Sequence, residues 1–290
     1  MHDSAHAPAR GKWAGFPRSD RPHVSHSAMD CYLRCGEQYR RAYVLKERIP
    51  PGIALVKGSS VDAAANLNYE QKLETHEDLP EAKLLEAAAA GFEEACSDGV
   101  FLTPDEESAK DRVLGEAKNT AIGMTRVFRR DIAPRVQPKL VQPWFRIEIP
   151  KASHDLLGRI DVADAEDVVR DTKTSGKRKY QDEIDRSDQL TLYALGYRHL
   201  TGVRPTGVAM DVLVGTKVPS SQILTSTRDE SDVRVLLNKV NAMLAGVKAG
   251  SFQPAASGAW CCSPRYCGYV SDCPYFNYER KAAAADQGGF

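Results

Sequence analysis

The sequence predicts an α/β fold in which a small sheet is flanked by helices, with a helical N-terminal part and a cysteine-rich C-terminal closure. Helix-like segments fill residues 25–135, short β-branched runs lie between 139 and 227, and cysteines crowd into residues 261–273. With 42% hydrophobic and 27% charged residues, the composition is that of an ordinary globular protein. The 290-residue chain is long enough to bury a substantial core.

We expect one domain over residues 25–278. Residues 1–24 are polar and proline-containing without an apolar period, which predicts an extended or disordered arm, and residues 279–290 form a tail. Within the domain we expect a mainly helical part at residues 25–135. The catalytic sheet and helix follow at residues 139–227, and the C-terminal helix and cysteine cluster lie at residues 229–278.

The charge balance gives no support for nucleic-acid binding and opposes a strongly basic protein that coats DNA non-specifically. Lys and Arg number 39, as do Asp and Glu, so any contact with nucleic acid must come from local patches. No apolar run approaches the roughly eighteen residues that span a bilayer, and we expect a cytoplasmic protein without membrane contact. Seven cysteines in such a compartment favour metal or catalytic roles over disulfides.

The N-terminal part begins with a helix predicted over residues 28–45. Ser27 is its expected cap, and Cys31 and Cys35 share one face because they are four residues apart. A second helix is predicted from Gly58 to about Thr75. Alanine-rich charged sequence predicts two more helices, over residues 81–96 and 104–131.

The sheet is predicted from short alternating runs. Phe145, Ile147 and Ile149 alternate with polar residues, so residues 144–149 form a strand entering the catalytic sheet. Two further strands at 208–214 and 222–227 form a hairpin that flanks the sheet. An amphipathic helix over residues 231–248 then packs its apolar stripe on the core.

Two acidic residues stand on neighbouring short strands that end near Asp161 and Asp171. Neighbouring strands lie about 4.8 Å apart, so both carboxylates reach one end of the sheet, and Lys173 points to the same face as Asp171. Two carboxylates can hold a hard divalent cation, and an adjacent amine can position the attacking water in phosphodiester hydrolysis. The same spacing also fits an ordinary hairpin with solvated or paired charges.

The helix after these strands begins at Ser187. Gln189 and Tyr193 are four residues apart on it and share a face. Taken alone, they would be a surface glutamine and a half-buried tyrosine.

Three cysteines near the C-terminus have the spacing of a metal-binding loop. Cys262, Cys267 and Cys273 lie in an irregular segment with proline and glycine, where thiolates can wrap around one centre. With a fourth ligand from elsewhere, they suit an iron–sulfur cubane or tetrahedral zinc, which the spacing does not separate. The alternative is that they are isolated buried thiols.

Three segments together resemble successive motifs of the RecB-like branch of the PD-(D/E)XK nuclease superfamily. They are Gly-Arg-Ile-Asp at 158–161, Asp-Thr-Lys at 171–173 and Gln-Leu-Thr-Leu-Tyr at 189–193. The nearest likeness is to the iron–sulfur-containing exonucleases of phages and CRISPR adaptation, over about residues 27–278. The resemblance implies a restriction-endonuclease-like core with a small mixed central sheet.

The resemblance also assigns roles to the acidic and polar residues. It implies that Asp161 and Asp171 bind Mg²⁺ or Mn²⁺, with the backbone carbonyl of Thr172 as a further ligand. Lys173 then orients or activates water. The helical pair contacts substrate or orients the site, which adds Gln189 and Tyr193 to the catalytic set.

One position departs from the family pattern. Residues 58–62 resemble its Gly-x-x-Val-His segment, whose histidine helps bind the metal, but Asp62 stands at the histidine position. Aspartate is itself an oxygen ligand for Mg²⁺ or Mn²⁺. The alternative is that Asp62 only favours the first turn of its helix electrostatically.

For the cysteines, the resemblance implies a structural 4Fe-4S cluster held by one N-terminal and three C-terminal thiolates, with zinc as the alternative. The matching ligands are Cys35, Cys262, Cys267 and Cys273. Cys31 and Cys261 are neighbours that could replace Cys35 or Cys262.

The function predicted from these observations is a Mg²⁺- or Mn²⁺-dependent DNA exonuclease acting on single-stranded DNA. It would serve phage or bacterial recombination, repair or DNA processing, with recombination or CRISPR-adaptation proteins as partners. The alternative is a catalytically inactive DNA-binding or assembly subunit that retains the nuclease fold. The change at Asp62 favours that alternative, whereas intact Asp161, Asp171 and Lys173 oppose it.

Overall fold

A computed structural model describes residues 15–150 and 152–276. Most of the predicted arm, the last two residues of the predicted domain and the tail at 279–290 therefore lie outside the described residues. The α-helices of the described part are α1 (His26–Arg34), α2 (Gly36–Tyr39), α3 (Ile53–Thr75), α4 (Glu81–Cys96), α5 (Pro104–Glu107), α6 (Lys110–Val127), α7 (Gln181–Asp185), α8 (Asp188–Thr201) and α9 (Glu230–Lys248).

The strands fall into two sheets. They are β1 (His23–Val24), β2 (Pro138–Val141), β3 (Trp144–Glu148), β4 (Asp155–Arg159), β5 (Val162–Asp164), β6 (Val168–Ser175), β7 (Gly207–Val214) and β8 (Ser220–Ser226). The central sheet has the order β2-β5-β6-β7-β8, and the small sheet has the order β1-β4-β3.

The central sheet is mixed. Strands β6 and β7 run parallel, whereas the pairs β2–β5, β5–β6 and β7–β8 are antiparallel. A parallel pair needs a crossover connection, which α7 and α8 supply between β6 and β7. The α/β prediction with a small mixed sheet and flanking helices is confirmed.

The strand predicted to enter the catalytic sheet at residues 144–149 belongs instead to the small sheet, so its sheet assignment was wrong. It forms β3, which pairs antiparallel with β4 from Trp144–Arg159 to Glu148–Asp155. The chain leaves β4 at Ile160 and Asp161 before β5 begins, and this corner separates the two sheets.

Helices cover both faces of the central sheet. On one face, β7 contributes Met210 and Val212 to a core shared with the α8 residues Leu190 and Tyr197. On the other face, Leu213 joins a second core built largely by α3, α4 and α6. A strand buried on both faces is apolar at nearly every position, as β7 is.

The predicted helix over residues 28–45 is interrupted. Helix α1 begins after the cap Ser25 and ends at Arg34, and Cys35 is extended at φ −159° and ψ 103°. Gly36 explains the break, because its N–H donates to the Gln253 carbonyl at 2.7 Å and a Cβ there would meet that backbone. The prediction that Cys31 and Cys35 share one continuous helical face was therefore wrong.

The other helical predictions differ at their boundaries. Helix α4 has the predicted bounds, whereas α3 begins five residues earlier than predicted, at Ile53. The single helix predicted over residues 104–131 is divided into α5, which Thr103 caps with a reciprocal bond to Glu106, and α6. Helix α6 then passes into a π-helical turn at Phe128–Ile132.

Residues 15–24, predicted to be part of an extended or disordered arm, pack on the small sheet and form an N-terminal strap. The Phe16 and Trp144 rings meet edge to face with centroids 5.1 Å apart. The Arg21 guanidinium bonds Asp155 Oδ1 at 2.7 Å, and β1 runs parallel to β4. Long-range contacts therefore order a segment that has no apolar period of its own.

None of the helices in the described ranges combines the length and the apolar character needed to cross a membrane.

The packing of α8 on Phe145 provides a test of the fold. A Cβ at Gly196 would lie 2.4 Å from Phe145 Cδ1 in a buried contact, whereas Gly115 on α6 has open space around it. We expect Gly196→Ala to lower the free energy of unfolding by about 1–3 kcal/mol through overpacking. The control Gly115→Ala should raise it by up to about 1 kcal/mol through helix propensity. Urea denaturation measures both, and equal effects would contradict this packing.

Candidate active site and cysteine cluster

Asp161 lies at the corner where the chain passes from the small sheet to the central sheet. Strands β5 and β6 pair through Val162 and Arg170, which brings Asp161 beside the next residues of β6. The Thr172 N–H donates to Asp161 Oδ2 at 3.2 Å. The structure therefore brings Asp161 and the segment Asp171–Lys173 together at one end of the sheet.

Asp171 is the most deeply placed acid of this site. Its side chain is 1% exposed, and Lys173 Nζ donates to its Oδ1 at 2.8 Å. Its other oxygen, Oδ2, is buried and has no hydrogen-bond partner among the described residues. A buried carboxylate oxygen without a partner is costly, so its position is explained by a ligand that neutralises it.

Asp62 reaches the same site from α3. Desolvation by the surrounding protein is the main cause that raises the pKa of Asp62 to about 6, and the negative charge of Asp171 adds to it. The positive charges of Lys173 and Arg159 act in the opposite direction. The side chain is nevertheless exposed to solvent, and Asp161 and Lys173 are only half-buried. The four groups therefore line a recess that protein surrounds but that solvent and a ligand can enter.

Asp62 is not part of the first turn of its helix. Helix α3 begins at Ile53, so the alternative that Asp62 serves the helix N-terminus electrostatically was wrong. The carboxylate instead faces the charges of Asp171 and Lys173.

The charges of the recess are unbalanced. Burial, together with the charges of Asp171 and Asp62, raises the pKa of Asp161 well above its ordinary value. Although burial opposes it, the carboxylates of Asp171 and Asp161 raise the pKa of Lys173, which keeps that amine protonated. Three carboxylates facing Lys173 leave an excess of negative charge that favours a cation.

These donors fit Mg²⁺ or Mn²⁺. Both are hard cations that prefer carboxylate and carbonyl oxygens, and Mg²⁺ keeps several waters while it uses one or two protein carboxylates. Over residues 15–150 and 152–276, however, no group of three or more His, Cys, Asp or Glu side chains is placed so that it could hold a metal ion. The observation that fits a cation is therefore the buried Oδ2 of Asp171, which has no hydrogen-bond partner among the described residues and belongs to a carboxylate whose charge acts on Asp161 and Asp62.

The two polar residues of α8 lie beside this recess. Gln189 Nε2 donates to Tyr193 Oη at 2.9 Å. Both residues line a cleft of about 440 Å³, of which Asp161 is also a wall. Burial and the charges of Asp161 and Asp171 raise the pKa of Tyr193 well above its ordinary value, so the phenol stays protonated.

Sequence reasoning missed two residues of the site. Arg159 lies over the Trp144 ring, with its Cζ 5.2 Å from the centroid, and its charge acts on Asp62. His26 is the first residue of α1 and also lines the cleft. Burial lowers its pKa despite the opposing charge of Asp30. Its position directly before a predicted helix was the available signal.

The predicted thiol ligands meet around a second, smaller cavity. Cys35, Cys262, Cys267 and Cys273 all line it, as does Cys261. Burial raises the pKa of Cys267, and the charges of Cys35, Cys273 and Cys262 raise it further. The structure thus brings one N-terminal and three C-terminal cysteines together, and Cys261 stays beside them.

Cys31 differs from the cavity-lining cysteines. Burial raises its pKa to about 11, although Arg34 opposes the shift, so it is a neutral buried thiol. It does not line the cavity, which Cys35 does at the break between α1 and α2.

Comparison with known proteins agrees with the architecture. The PD-(D/E)XK nuclease superfamily matches residues 23–274 of the sequence. A crystal structure of a candidate exonuclease from Eubacterium rectale is similar at a TM-score of 0.54 and 14% identity, covering 83% of this chain and 86% of that one. The structure of SSO0001 is also 14% identical, and the match covers 82% of this chain and 94% of that one. Its TM-score of 0.35 is too low to support a shared fold. No curated protein matches the sequence significantly.

The chain belongs to the PD-(D/E)XK nuclease superfamily, because the match spans most of its length. The restriction-endonuclease-like fold implied by the sequence motifs is confirmed by this match and by the structural likeness.

The shifted pKa of Asp62 predicts an effect on stability. Its folded pKa of about 6 exceeds the ordinary 3.8, so stability falls as pH rises between these values and the loss is complete above about pH 6. We expect Asp62→Asn to raise the free energy of unfolding at pH 7.5 in metal-free buffer. Solvent screening limits the gain to at most about 1 kcal/mol.

Urea denaturation at pH 7.5 and at pH 3.5 measures this gain, which should vanish at the lower pH. Asp98→Asn, a substitution of an exposed aspartate in a turn, is the control and should change stability little at either pH. A variant that is less stable than the parent at pH 7.5 would contradict the charge imbalance.

Proposed function

We propose that this protein is a metal-dependent DNA nuclease that hydrolyses phosphodiester bonds as an exonuclease on single-stranded DNA. The observation that carries the proposal is the buried Oδ2 of Asp171, for which residues 15–150 and 152–276 offer no hydrogen-bond partner, in a site with Asp161, Asp62 and Lys173. A cation binding there would meet carboxylate ligands on one side and a solvent-accessible recess on the other.

In this proposal, Asp161 and Asp171 would hold Mg²⁺ or Mn²⁺, and Asp62 and the Thr172 carbonyl would be further ligands. A bound metal of this kind supplies Lewis acidity and lowers the pKa of bound water. Because the pKa of Lys173 is raised, its amine is a cation at neutral pH. It would therefore orient water and counter the charge on the phosphate rather than accept a proton.

The α8 pair would contact the DNA strand. Because Gln189 donates its amide N–H to Tyr193 Oη, the phenol proton can be donated to an oxygen of the substrate. The raised pKa of Tyr193 keeps that proton in place at neutral pH. Positioning by such neutral donors aligns the phosphodiester without adding negative charge to the recess.

Exonuclease action on single strands rests on two supports. The structurally similar protein from Eubacterium rectale is named as a candidate exonuclease. The motifs at residues 158–161, 171–173 and 189–193 resemble the RecB-like exonuclease branch. That resemblance also supports a cytoplasmic role in phage or bacterial recombination, repair or DNA processing, CRISPR adaptation included.

The same branch supports a structural 4Fe-4S cluster in the cysteine-lined cavity. Cys35 at the end of α1 and Cys262, Cys267 and Cys273 of the C-terminal loop would be its ligands. The raised pKa of the Cys267 thiol, caused by burial and neighbouring thiols, is relieved when a cationic centre stabilises thiolates. The cluster would join the N-terminal helices to the C-terminal loop.

The nuclease proposal predicts loss of activity on removal of either member of the Asp171–Lys173 pair. We expect Asp171→Ala and Lys173→Ala each to slow degradation of labelled single-stranded DNA with Mn²⁺ by at least about a hundredfold, since each removes charge from the reacting centre. Asp98→Asn, far along the chain from these residues, should keep the parent rate.

A parent protein that binds DNA but leaves it intact under these conditions would contradict the nuclease and favour an inactive DNA-binding or assembly subunit. Equal rates for the parent and both variants would point to a contaminating nuclease.

The cluster proposal predicts a visible chromophore. Anaerobically purified protein should contain iron and acid-labile sulfide with broad visible absorbance, and Cys35→Ser or Cys267→Ser should lose most of it. Cys96→Ser is the control, because Cys96 lies on α4 and does not line the cavity. Stoichiometric zinc without sulfide would replace the cluster by a zinc site, and absence of both metals would contradict either centre.

A further inference from the structure

The N-terminal strap and the small sheet form part of the cleft beside the carboxylates. Phe16 and His23 of the strap line it together with Trp144 of β3 and Arg159 of β4, and residues of α1 and α8 line the rest. Asp161 of the proposed metal site also lines it. A volume of about 440 Å³ lies within the range of pockets that enclose a single small ligand.

The strap is fixed by ionic contacts to the buried carboxylate of Asp155. Arg146 Nε donates to Asp155 Oδ2 at 2.8 Å, and Arg21 Nε donates to the other oxygen of Asp155 at 2.7 Å. Arg146 also donates to the Pro17 carbonyl at 3.3 Å. Hydrogen bonds from Arg146 and Arg21 overcome the opposing effect of burial and lower the pKa of Asp155, so the pairs persist at neutral pH.

The wall combines aromatic and cationic groups. The centroid of the Phe16 ring lies 5.1 Å from that of Trp144 and 6.4 Å from that of His23. The guanidinium of Arg159 lies over the Trp144 ring, with its Cζ 5.2 Å from the centroid, and its charge acts on Asp62. Aromatic surface beside an arginine matches a nucleotide, which has a flat base and a phosphate.

Two histidines add polar groups without adding charge. Burial, together with the positive charge of Arg146, lowers the pKa of His23. Burial also lowers the pKa of His26. Both rings are therefore neutral at physiological pH and offer a flat face and one N–H donor. This neutrality leaves Arg159 as the cationic side chain of the cleft that faces the carboxylates.

We propose that this cleft binds one unpaired nucleotide of the DNA strand, next to the phosphodiester bond presented to Asp161 and Asp171. The base lies against Phe16 and Trp144, and the phosphate of that nucleotide lies beside Arg159. The proposal rests on the proposed nuclease function and adds a base-dependent, sequence-tolerant subsite, because every base has a face that can pack on an aromatic ring.

The test measures binding without cleavage. Full-length Asp171→Asn protein is titrated into a dye-labelled oligothymidylate and into a strand of equal length made of abasic nucleotides, and fluorescence anisotropy gives both dissociation constants. We expect the base-bearing strand to bind roughly tenfold tighter. Adding Phe16→Ala or Trp144→Ala should remove that preference by weakening only the base-bearing strand.

Two further variants are matched controls. Trp144→Phe keeps an aromatic wall and should keep most of the preference. Tyr180→Ala removes an aromatic ring that is 70% exposed and does not line the cleft, so the preference should be unchanged.

Equal binding of the two strands by the Asp171→Asn protein would overturn the subsite, as would equal weakening of both strands by Phe16→Ala and Trp144→Ala. Loss of preference in Tyr180→Ala but not in Trp144→Ala would place the base elsewhere and overturn it too. Failure of the nuclease proposal is seen separately, as DNA that the parent leaves intact with Mn²⁺.

Discussion

The structure depends on how carboxylates are satisfied on the two faces of β6. On one face, Arg170 bonds Asp164 Oδ2 at 2.7 Å and Asp211 Oδ1 at 3.0 Å, and the N–H groups of Glu166 and Val168 donate to the other oxygen of Asp164. Every one of these acids has partners, so the network ties β5, β6 and β7 together. On the opposite face, Asp171 has a buried oxygen that no group in the described part of the chain bonds. The first arrangement stabilises the fold, whereas the second favours the binding of a cation.

The rest of the fold holds that second face in place. The corner at Asp161 brings one carboxylate from the small sheet, α3 brings Asp62, and α8 covers the recess with Gln189 and Tyr193. The C-terminal loop is fixed by more than its cysteines, since Arg41 bonds Asp272 Oδ1 at 2.9 Å. Tyr269 Oη also donates to the Glu47 carbonyl at 2.6 Å. The cysteine-lined cavity is thus placed by polar contacts that join residues distant in sequence.

Sequence alone predicted the features that depend on local periodicity. Asp171 and Lys173 share a face because strand side chains alternate, and the pairing of adjacent strands brings Asp161 near. The break at Cys35 was missed because it follows from the contact between Gly36 and Gln253. The strap was missed for the same reason, since its order comes from pairing with β4 and from Trp144. The passage from the small sheet to the central sheet at Ile160 and Asp161 was also missed, because neither residue is a glycine or proline, the usual sequence signals of such a break.

The central claim is that the carboxylates around Asp171 bind one divalent cation. Titration of Mn²⁺ into the full-length protein, followed by the electron paramagnetic resonance of unbound Mn²⁺, measures that binding directly. The account predicts saturable uptake that Asp171→Asn and Asp161→Asn each abolish, while Asp98→Asn leaves it unchanged. Uptake that is the same in all four proteins, or absent from the parent, would contradict it.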